Sequence, residues 1–276
     1  MQFVRLTIHD LKEGSLRKAG VFIWIILIYL GSCTTFKKIV AVGLLNRHFY
    51  EPAVFIDYYL YATRGIGPYN ITKSSVFVVP IYWFVFHILI AYNIGEYADK
   101  DIKHFGKYVM MKEGSRVLWW FSKCLWCIIS VFLYYLIAFV TVILFCLVNN
   151  VKISFNATID ILSLFSRGLE LNSNNEILLF GLILPFFISC AISLFQISVS
   201  LIAGSSFSYA GVCVMYILSA YYTTPFLLPN YTMWLRNNSV AIGSGIYTSI
   251  GIILSGFVSV ASVTLGLGVI LNKDIL

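Results

Sequence analysis

Long apolar runs separated by short polar intervals dominate the pattern of this sequence. An α-helix needs about 20 mostly apolar residues to cross a bilayer, whereas outer-membrane strands read as alternating segments of about ten residues. The pattern therefore predicts an all-α, polytopic membrane protein with six transmembrane helices. The predicted spans are at about 20–36, 76–94, 117–148, 177–203, 209–227 and 246–271.

Two intervals, one before the first predicted span and one after it, mix apolar and charged residues. In residues 1–19, the apolar Val4, Ile8 and Leu11 recur at helical spacing among basic residues, which predicts an interfacial helix on the membrane surface. A plain charged leader is the alternative. Residues 37–75 are too charged to span and too apolar for a free loop, so they are predicted to form an outer cap with short helices.

The polar interval 95–123 holds six of the nineteen Lys and Arg residues and four of the twelve acids. Basic residues are denser here and in residues 1–19 than in the intervals on the other side of the predicted spans. Because cytoplasmic loops carry an excess of Lys and Arg, we expect both termini and this interval in the cytoplasm.

Composition agrees with a membrane protein: 59% of the 276 residues are hydrophobic and 11% are charged, and the mean hydropathy is +0.87. A soluble surface, about 25–35% charged, cannot be built from this chain. The net charge of +7 comes from cations flanking apolar runs, which set orientation and meet anionic headgroups, so no nucleic-acid partner is predicted. The six cysteines lie in or beside apolar runs and predict buried thiols instead of a disulfide framework.

Motifs for catalysis or cofactor binding are not found. The only Gly-Lys pair, Gly106-Lys107, lacks the rest of a P-loop, so the chain has no ATP-binding motif of its own. Cys124 and Cys127 have the spacing of half a zinc site, but a structural site needs four ligands, and no second pair is near in sequence. We predict no enzyme activity, no metal and no cofactor in this chain.

Within the predicted spans, His87 is the residue that ionises near neutral pH. An ionisable residue at membrane depth is either hydrogen-bonded to a neighbouring helix or part of a proton relay, and we interpret His87 as the former. The small residues Gly251, Ser255 and Ser259 recur every four positions, a spacing that lets helix backbones approach closely. We therefore predict intramolecular helix packing along that face.

Charged residues before and at the start of the third span are predicted to face water or headgroups instead of buried partners. Lys123 lies one turn inside the span, and a long lysine side chain there is expected to reach the headgroups. Asp99 and Asp101 are flanked by Lys100 and Lys103, so the pair is expected to form a solvated charged face instead of a carboxylate site.

The interval also resembles a known pattern. Ile94-Gly95-Glu96-Tyr97 at the end of the second span, followed by Gly114-Ser115-Arg116-Val117-Leu118-Trp119-Trp120-Phe121-Ser122-Lys123 leading into the third, is similar to permeases of ABC-2 type exporters. In that family an arginine-containing segment, a Trp and a Lys at the foot of the next helix occupy this stretch. The family also places re-entrant short helices between its last two spans, where this chain has Thr223–Pro229, followed by the interface-like mixture of Trp234 and Arg236.

This resemblance implies a permease subunit in a bacterial cell membrane that pairs with a second permease, identical or different, and with separate ABC ATPase subunits. ATP and Mg would bind to those partners, and the substrate would be a peptide or a lipid-like molecule moved outward. Coupling to the ATPase would fall to the 95–123 segment, through Asp99, Lys107, Tyr108, Met110, Met111, Arg116 and Lys123.

Two other classes of function are open on the sequence. One is a membrane-embedded immunity or binding protein that sequesters a peptide without transport. The other is an intramembrane enzyme, for which no catalytic constellation is found. An ATPase that copurifies would distinguish the transporter from both.

Overall fold

The computed structural model describes residues 2–15, 17, 19–45, 51–69, 77–103, 106–107, 116–165 and 174–272. Within these ranges the chain forms helices and no strand, which confirms the all-α prediction. The helices are α1 Gln2–Asp10, α2 Gly20–Leu45, α3 Phe55–Thr63, α4 Ile81–Lys103, α5 Arg116–Val148, α6 Ile159–Ser163, α7 Asn174–Leu178, α8 Leu184–Ala203, α9 Ser205–Tyr221 and α10 Thr248–Asn272. A π-helical turn follows α1 at Leu11–Ser15, and another joins α7 to α8 at Leu179–Ile183.

Four helical segments in the described part of the chain are long and apolar enough to cross a membrane: Gly20–Leu45, Arg116–Val148, Glu176–Ala203 and Thr248–Asn272. They identify the chain as a membrane protein with transmembrane helices. The other two predicted spans correspond to α4, whose last turns are charged, and to α9, which has 17 residues.

Helix boundaries differ from the predicted spans where a helix continues past its apolar run. α2 continues to Leu45 instead of ending at 36, and its exposed Lys37 donates a hydrogen bond to Asn149, directly after the end of α5. α4 continues to Lys103 instead of ending at 94, because its last turns are buried against α1 and α5 instead of leaving the bundle. Hydropathy marks the segment that fits in hydrocarbon and not the end of the helix.

The centre of the bundle is α8, which packs against α4, α5, α9 and α10. The apolar stretch that contains it is 67% buried, against 22% to 39% for the other three candidate spans. Polar side chains fix two of these contacts: Gln196 Nε2 donates to the carbonyl of Ala91 in α4 (2.8 Å), and Ser198 Oγ donates to that of Ser262 in α10 (2.7 Å).

Long-range contacts define the two ends of the bundle. At one end, here named the α1 end, Arg116 at the start of α5 bonds the carbonyl of Leu271 at the end of α10 (2.8 Å). At the other, the cap end, Trp234 donates to the carbonyl of Leu60 in α3 (2.7 Å). The cap end also holds two short 3-10 helices, Leu228–Thr232 and Trp234–Arg236, between α9 and α10.

Candidate functional site at the α1 end

Three charged side chains from three helices meet in the interior of the α1 end. The ammonium group of Lys123 on α5 is paired with Asp10, the last residue of α1, and with Oδ2 of Asp101 near the end of α4, at 2.7 Å. Their side chains are 1%, 2% and 5% exposed. These three residues, named the ion cluster, join α1, α4 and α5.

Neutral donors satisfy the Asp10 carboxylate. The hydroxyl of Tyr97 donates to Oδ1 (2.9 Å), and the hydroxyl of Ser122 donates to Oδ2 (2.9 Å). Removing a carboxylate from water costs several kcal/mol unless its oxygens are paired and hydrogen-bonded. With the Lys123 ammonium, these groups give each oxygen of the buried Asp10 carboxyl a polar partner.

Aromatic rings complete the surroundings of the other two members. The indole N–H of Trp119 donates to Asp101 Oδ2 (2.8 Å). The Lys123 nitrogen lies 4.8 Å from the ring centroid of Tyr97 and 5.2 Å from that of Trp119, within cation–π range. The ammonium is therefore stabilised by two carboxylates and two π faces in a site closed to water.

The expectation that Lys123 reaches the headgroups is wrong, and so is the solvated face at Asp99 and Asp101, which are 8% and 7% exposed. Both expectations assume that no other segment of the chain packs over the start of α5 and the end of α4. The last residue of α1 instead brings a carboxylate onto the start of α5, and the ammonium pairs with two acids in the interior instead of reaching outward. The missed signal is Asp10, which with Glu13 is one of two acids in a leader whose other residues are mostly basic or apolar.

The leader is attached to α5 beyond the ion cluster as well. Ser15 and Ser130 lie 2.8 Å apart through their hydroxyls, and the indole of Trp126 donates to Ser15 (3.0 Å). On the other face of α1, Val4 and Ile8 are 57% and 59% exposed. This two-faced pattern suits a helix with one side on the bundle and the other at a membrane surface; the interfacial location stays a prediction.

Other predicted coupling residues lie nearby. Arg116 donates to the carbonyls of Ile270 (3.3 Å) and Leu271 (2.8 Å), so a cation neutralises the negative end of α10. Lys107 is half-buried next to the buried Gly106. The remaining three, Tyr108, Met110 and Met111, lie outside the described residues.

His87 lies in the interior between the two ends. Its Nδ1 is 2.8 Å from the carbonyl of Trp83, and its Nε2 is 3.5 Å from the hydroxyl of Tyr135 on α5. The Tyr135 hydroxyl is in turn 2.8 Å from that of Ser189 on α8. His87 is thus part of a hydrogen-bonded set that connects three helices.

Along α10, the predicted packing positions have different surroundings. A Cβ added at Gly251 would lie 2.5 Å from the ring of Tyr231, so the backbone approaches that ring closely. Ser255 is buried and Ser259 is half-buried, and the hydroxyl of each bonds a carbonyl of its own helix. Gly251 is therefore the member of this set that makes the close contact.

One grouping among the described residues has ligand atoms close enough to share a metal: His9, Asp10 and Asp101 lie within 4.8 Å of one another. The ammonium of Lys123 already pairs with both of these carboxylates. It therefore supplies the positive charge that a metal would bring. Cys124 and Cys127 are buried free thiols and take no part in this grouping.

The chain matches no family model, no curated protein and no solved structure.

Proposed function

We propose that this chain is the transmembrane permease subunit of an ABC-2 type exporter and works with a separate ATPase subunit. The observation that supports this most directly is the ion cluster. Asp101 and Lys123 lie on the two sides of the connection between α4 and α5, and Asp10 ties α1 to both. A surface that receives force from a partner needs such a rigid base.

The cluster makes three helices behave as one body. Separating either acid from Lys123 would leave an uncompensated buried charge, at a cost of about 3–5 kcal/mol. A push on the α4–α5 connection would therefore displace α1, α4 and α5 together. Since α8 packs against α4 and α5 and also against α9 and α10, the displacement would reach the whole bundle.

Two further features support the same proposal. The end of α10 lies beside the start of α5, at the end that holds α1, as expected if both termini share the cytoplasmic side. Between α9 and α10 the chain folds back through two 3-10 helices that are buried in the cap end, which suits the re-entrant segment of this family. ATP and Mg would belong to the partner, and a peptide or lipid-like substrate would leave a bacterial cell.

The test is extraction of the tagged chain from its native membranes in a mild detergent. We expect a P-loop ATPase to be retained, identified by mass spectrometry and by vanadate-sensitive ATP hydrolysis. The variant Met110→Glu/Met111→Glu should lose this subunit. The matched control, Ile153→Glu/Ile242→Glu, adds the same charge at exposed positions of the cap end and should keep it.

A chain that purifies without any ATPase and protects cells without nucleotide would overturn the proposal. That result would favour the alternative, a membrane-embedded immunity or binding protein that sequesters a peptide. Equal ATPase retention by both double variants would leave the ATPase partner in place but remove the coupling role from the 95–123 segment.

A further inference from the structure

A cavity of about 600 Å³ opens at the cap end, between the end of α3, the start of α4 and the 3-10 turn at Trp234–Arg236. Its size falls within the range of about 300–1,000 Å³ typical of small-molecule sites. Aromatic side chains supply much of its wall, among them Tyr61, Tyr82 and Phe165. Among the described residues that line it, Arg64 is the charged one.

Arg64 follows the last residue of α3. Its guanidinium carbon lies 4.1 Å from the ring centroid of Tyr61 and 4.9 Å from that of Phe165. Burial lowers the pKa of Arg64 from its ordinary value, because the charged form loses hydration, yet a guanidinium stays protonated at neutral pH. None of the ion pairs in the described part of the chain gives it a carboxylate partner.

The backbone around Arg64 is fixed by the segment before α10. The N–H of Leu235 donates to the carbonyl of Arg64 (3.3 Å), and Nε of Arg236 donates to that of Ile66 (2.9 Å). Gly65 has a φ of +67°, a conformation that favours glycine. The turn that carries Arg64 is therefore fixed before a ligand binds. This lowers the conformational entropy that the backbone loses when Arg64 binds an anion.

Beside the cation the cavity lining is apolar and open. Val78, Val79 and Ile81 line it and are 67%, 45% and 65% exposed. A small hydrated anion would gain nothing from these side chains. A ligand with an anionic head and a hydrocarbon chain would bury them while it neutralised Arg64.

We propose that this cavity binds an anionic phospholipid, with the phosphate on the Arg64 guanidinium and the acyl chain along Val78, Val79 and Ile81. A guanidinium recognises phosphate through paired N–H donors, and the rings of Tyr61 and Phe165 lie against the guanidinium and fix its position. The inference concerns the cap end and needs neither an ATPase nor transport, so it and the proposed function can fail separately.

The experiment measures phosphatidylglycerol retained by the full-length chain in native mass spectrometry, over a titration of that lipid in detergent. Arg64→Gln should weaken binding about tenfold or more, because the charge-assisted hydrogen bonds to the phosphate are lost. Arg64→Lys should retain part of the affinity. The control Lys152→Gln removes a cation that is exposed at the same end and outside the cavity, and should bind as the wild type does.

A second variant tests the apolar contact. Val78→Ser/Ile81→Ser alters only exposed side chains, so it should fold normally and still bind the lipid several-fold more weakly. Inorganic phosphate at millimolar concentration should not displace the lipid. Displacement by phosphate would identify a soluble anion as the ligand and overturn the lipid assignment.

Two more outcomes would contradict the proposal. If folded Arg64→Gln binds phosphatidylglycerol as well as the wild type, the cavity is not the site. If Lys152→Gln loses as much affinity as Arg64→Gln, the lipid is held by general surface attraction. Should Arg64→Gln fail to fold, unchanged binding by Val78→Ser/Ile81→Ser would be decisive against it.

Discussion

The ammonium nitrogen of Lys123 lies 2.7 Å from Oδ2 of Asp101, and both side chains are closed to water. The two residues come from opposite sides of the connection between α4 and α5, so this pair closes that connection at its base. Asp10 extends the pair to α1. The packing of α1, α4 and α5 at the α1 end therefore depends on these three charged side chains.

Replacing Lys123 by Met should destabilise the protein strongly. Two carboxylates would stay buried without a cation, and losing one partner of a buried pair costs about 3–5 kcal/mol. Denaturant unfolding in detergent, followed by tryptophan fluorescence, measures this loss. Arg17→Gln is the control, because it breaks an ion pair with Glu13 in which the arginine side chain is 76% exposed, and it should leave the unfolding curve unchanged.

A triple variant separates charge from packing. Lys123→Met combined with Asp10→Asn and Asp101→Asn removes the uncompensated charges and should recover much of the stability lost by the single change. A single Lys123→Met variant as stable as the wild type would show that the ion cluster does not hold the three helices together.

Glycines on α10 supply a second prediction with an internal control. A Cβ at Gly266 would lie 2.1 Å from the indole of Trp120, whose N–H is already bonded to the carbonyl of Val263 (2.9 Å). Gly266→Ala should therefore destabilise by about 1–3 kcal/mol through overpacking. Gly268 has open space at the same position, so Gly268→Ala should be neutral or stabilising by up to about 1 kcal/mol.

Thermal unfolding of the two alanine variants in the same detergent checks this prediction. Equal midpoints for Gly266→Ala and Gly268→Ala would mean that Trp120 moves freely, and that α10 does not pack against α5 through this contact.

The sequence predicts local features such as helices better than it predicts contacts between residues far apart in the chain. Apolar runs are local, so the helical class and the long spans could be predicted from hydropathy alone. The partners of Lys123 are distant: Asp10 belongs to another helix, and no spacing in the sequence marks it as a ligand. The pairing forms only because α1 folds back onto α5.

Arg236 shows the same limit at the cap end. The mixture of Trp234 and Arg236 in the sequence predicts a membrane interface, yet the Arg236 side chain is fully buried. It donates to the carbonyls of Ala220 (2.7 Å) and Tyr222 (3.1 Å) at the end of α9 and to that of Ile66 (2.9 Å). A cation held by free carbonyls at a helix C-terminus needs no acidic partner, so charge patterning does not reveal it.

Asp57 provides a prediction on pH. Burial raises the pKa of this carboxyl, although the N–H groups of Val54 (2.9 Å) and Thr158 (2.9 Å) donate to it and act in the opposite direction. A raised native pKa means that the folded protein binds a proton which the unfolded chain has released. Stability should therefore fall as pH rises from about 3.9, the ordinary aspartate value, through the raised native pKa.

Unfolding midpoints of the wild type and Asp57→Asn, measured across this acidic range, test the sign. The asparagine does not titrate, so the stability of the wild type relative to the variant should fall with rising pH in that window. A relative stability that rises with pH there would mean that the two N–H donors outweigh burial.

Orientation in the membrane is the last prediction, and it follows from the separation of the two ends. The side chain of Lys100 on α4 is 62% exposed and lies at the α1 end, whereas Asn156 is exposed at the cap end. Basic residues are denser at the α1 end, so we expect Lys100 in the cytoplasm and Asn156 outside. Single cysteines at these positions, in a background without the six native thiols, are treated with an impermeant maleimide on whole cells.

The cysteine at 156 should react on intact cells, whereas the cysteine at 100 should react only after permeabilisation. Ile153→Cys is a useful second probe of the cap end, because Ile153 is 43% exposed three residues from Asn156 and should behave like it. Labelling at 100 on intact cells, with 153 and 156 protected, would reverse the orientation. The α4–α5 connection would then face away from any cytoplasmic ATPase, and the coupling role proposed for the 95–123 segment would fall with it.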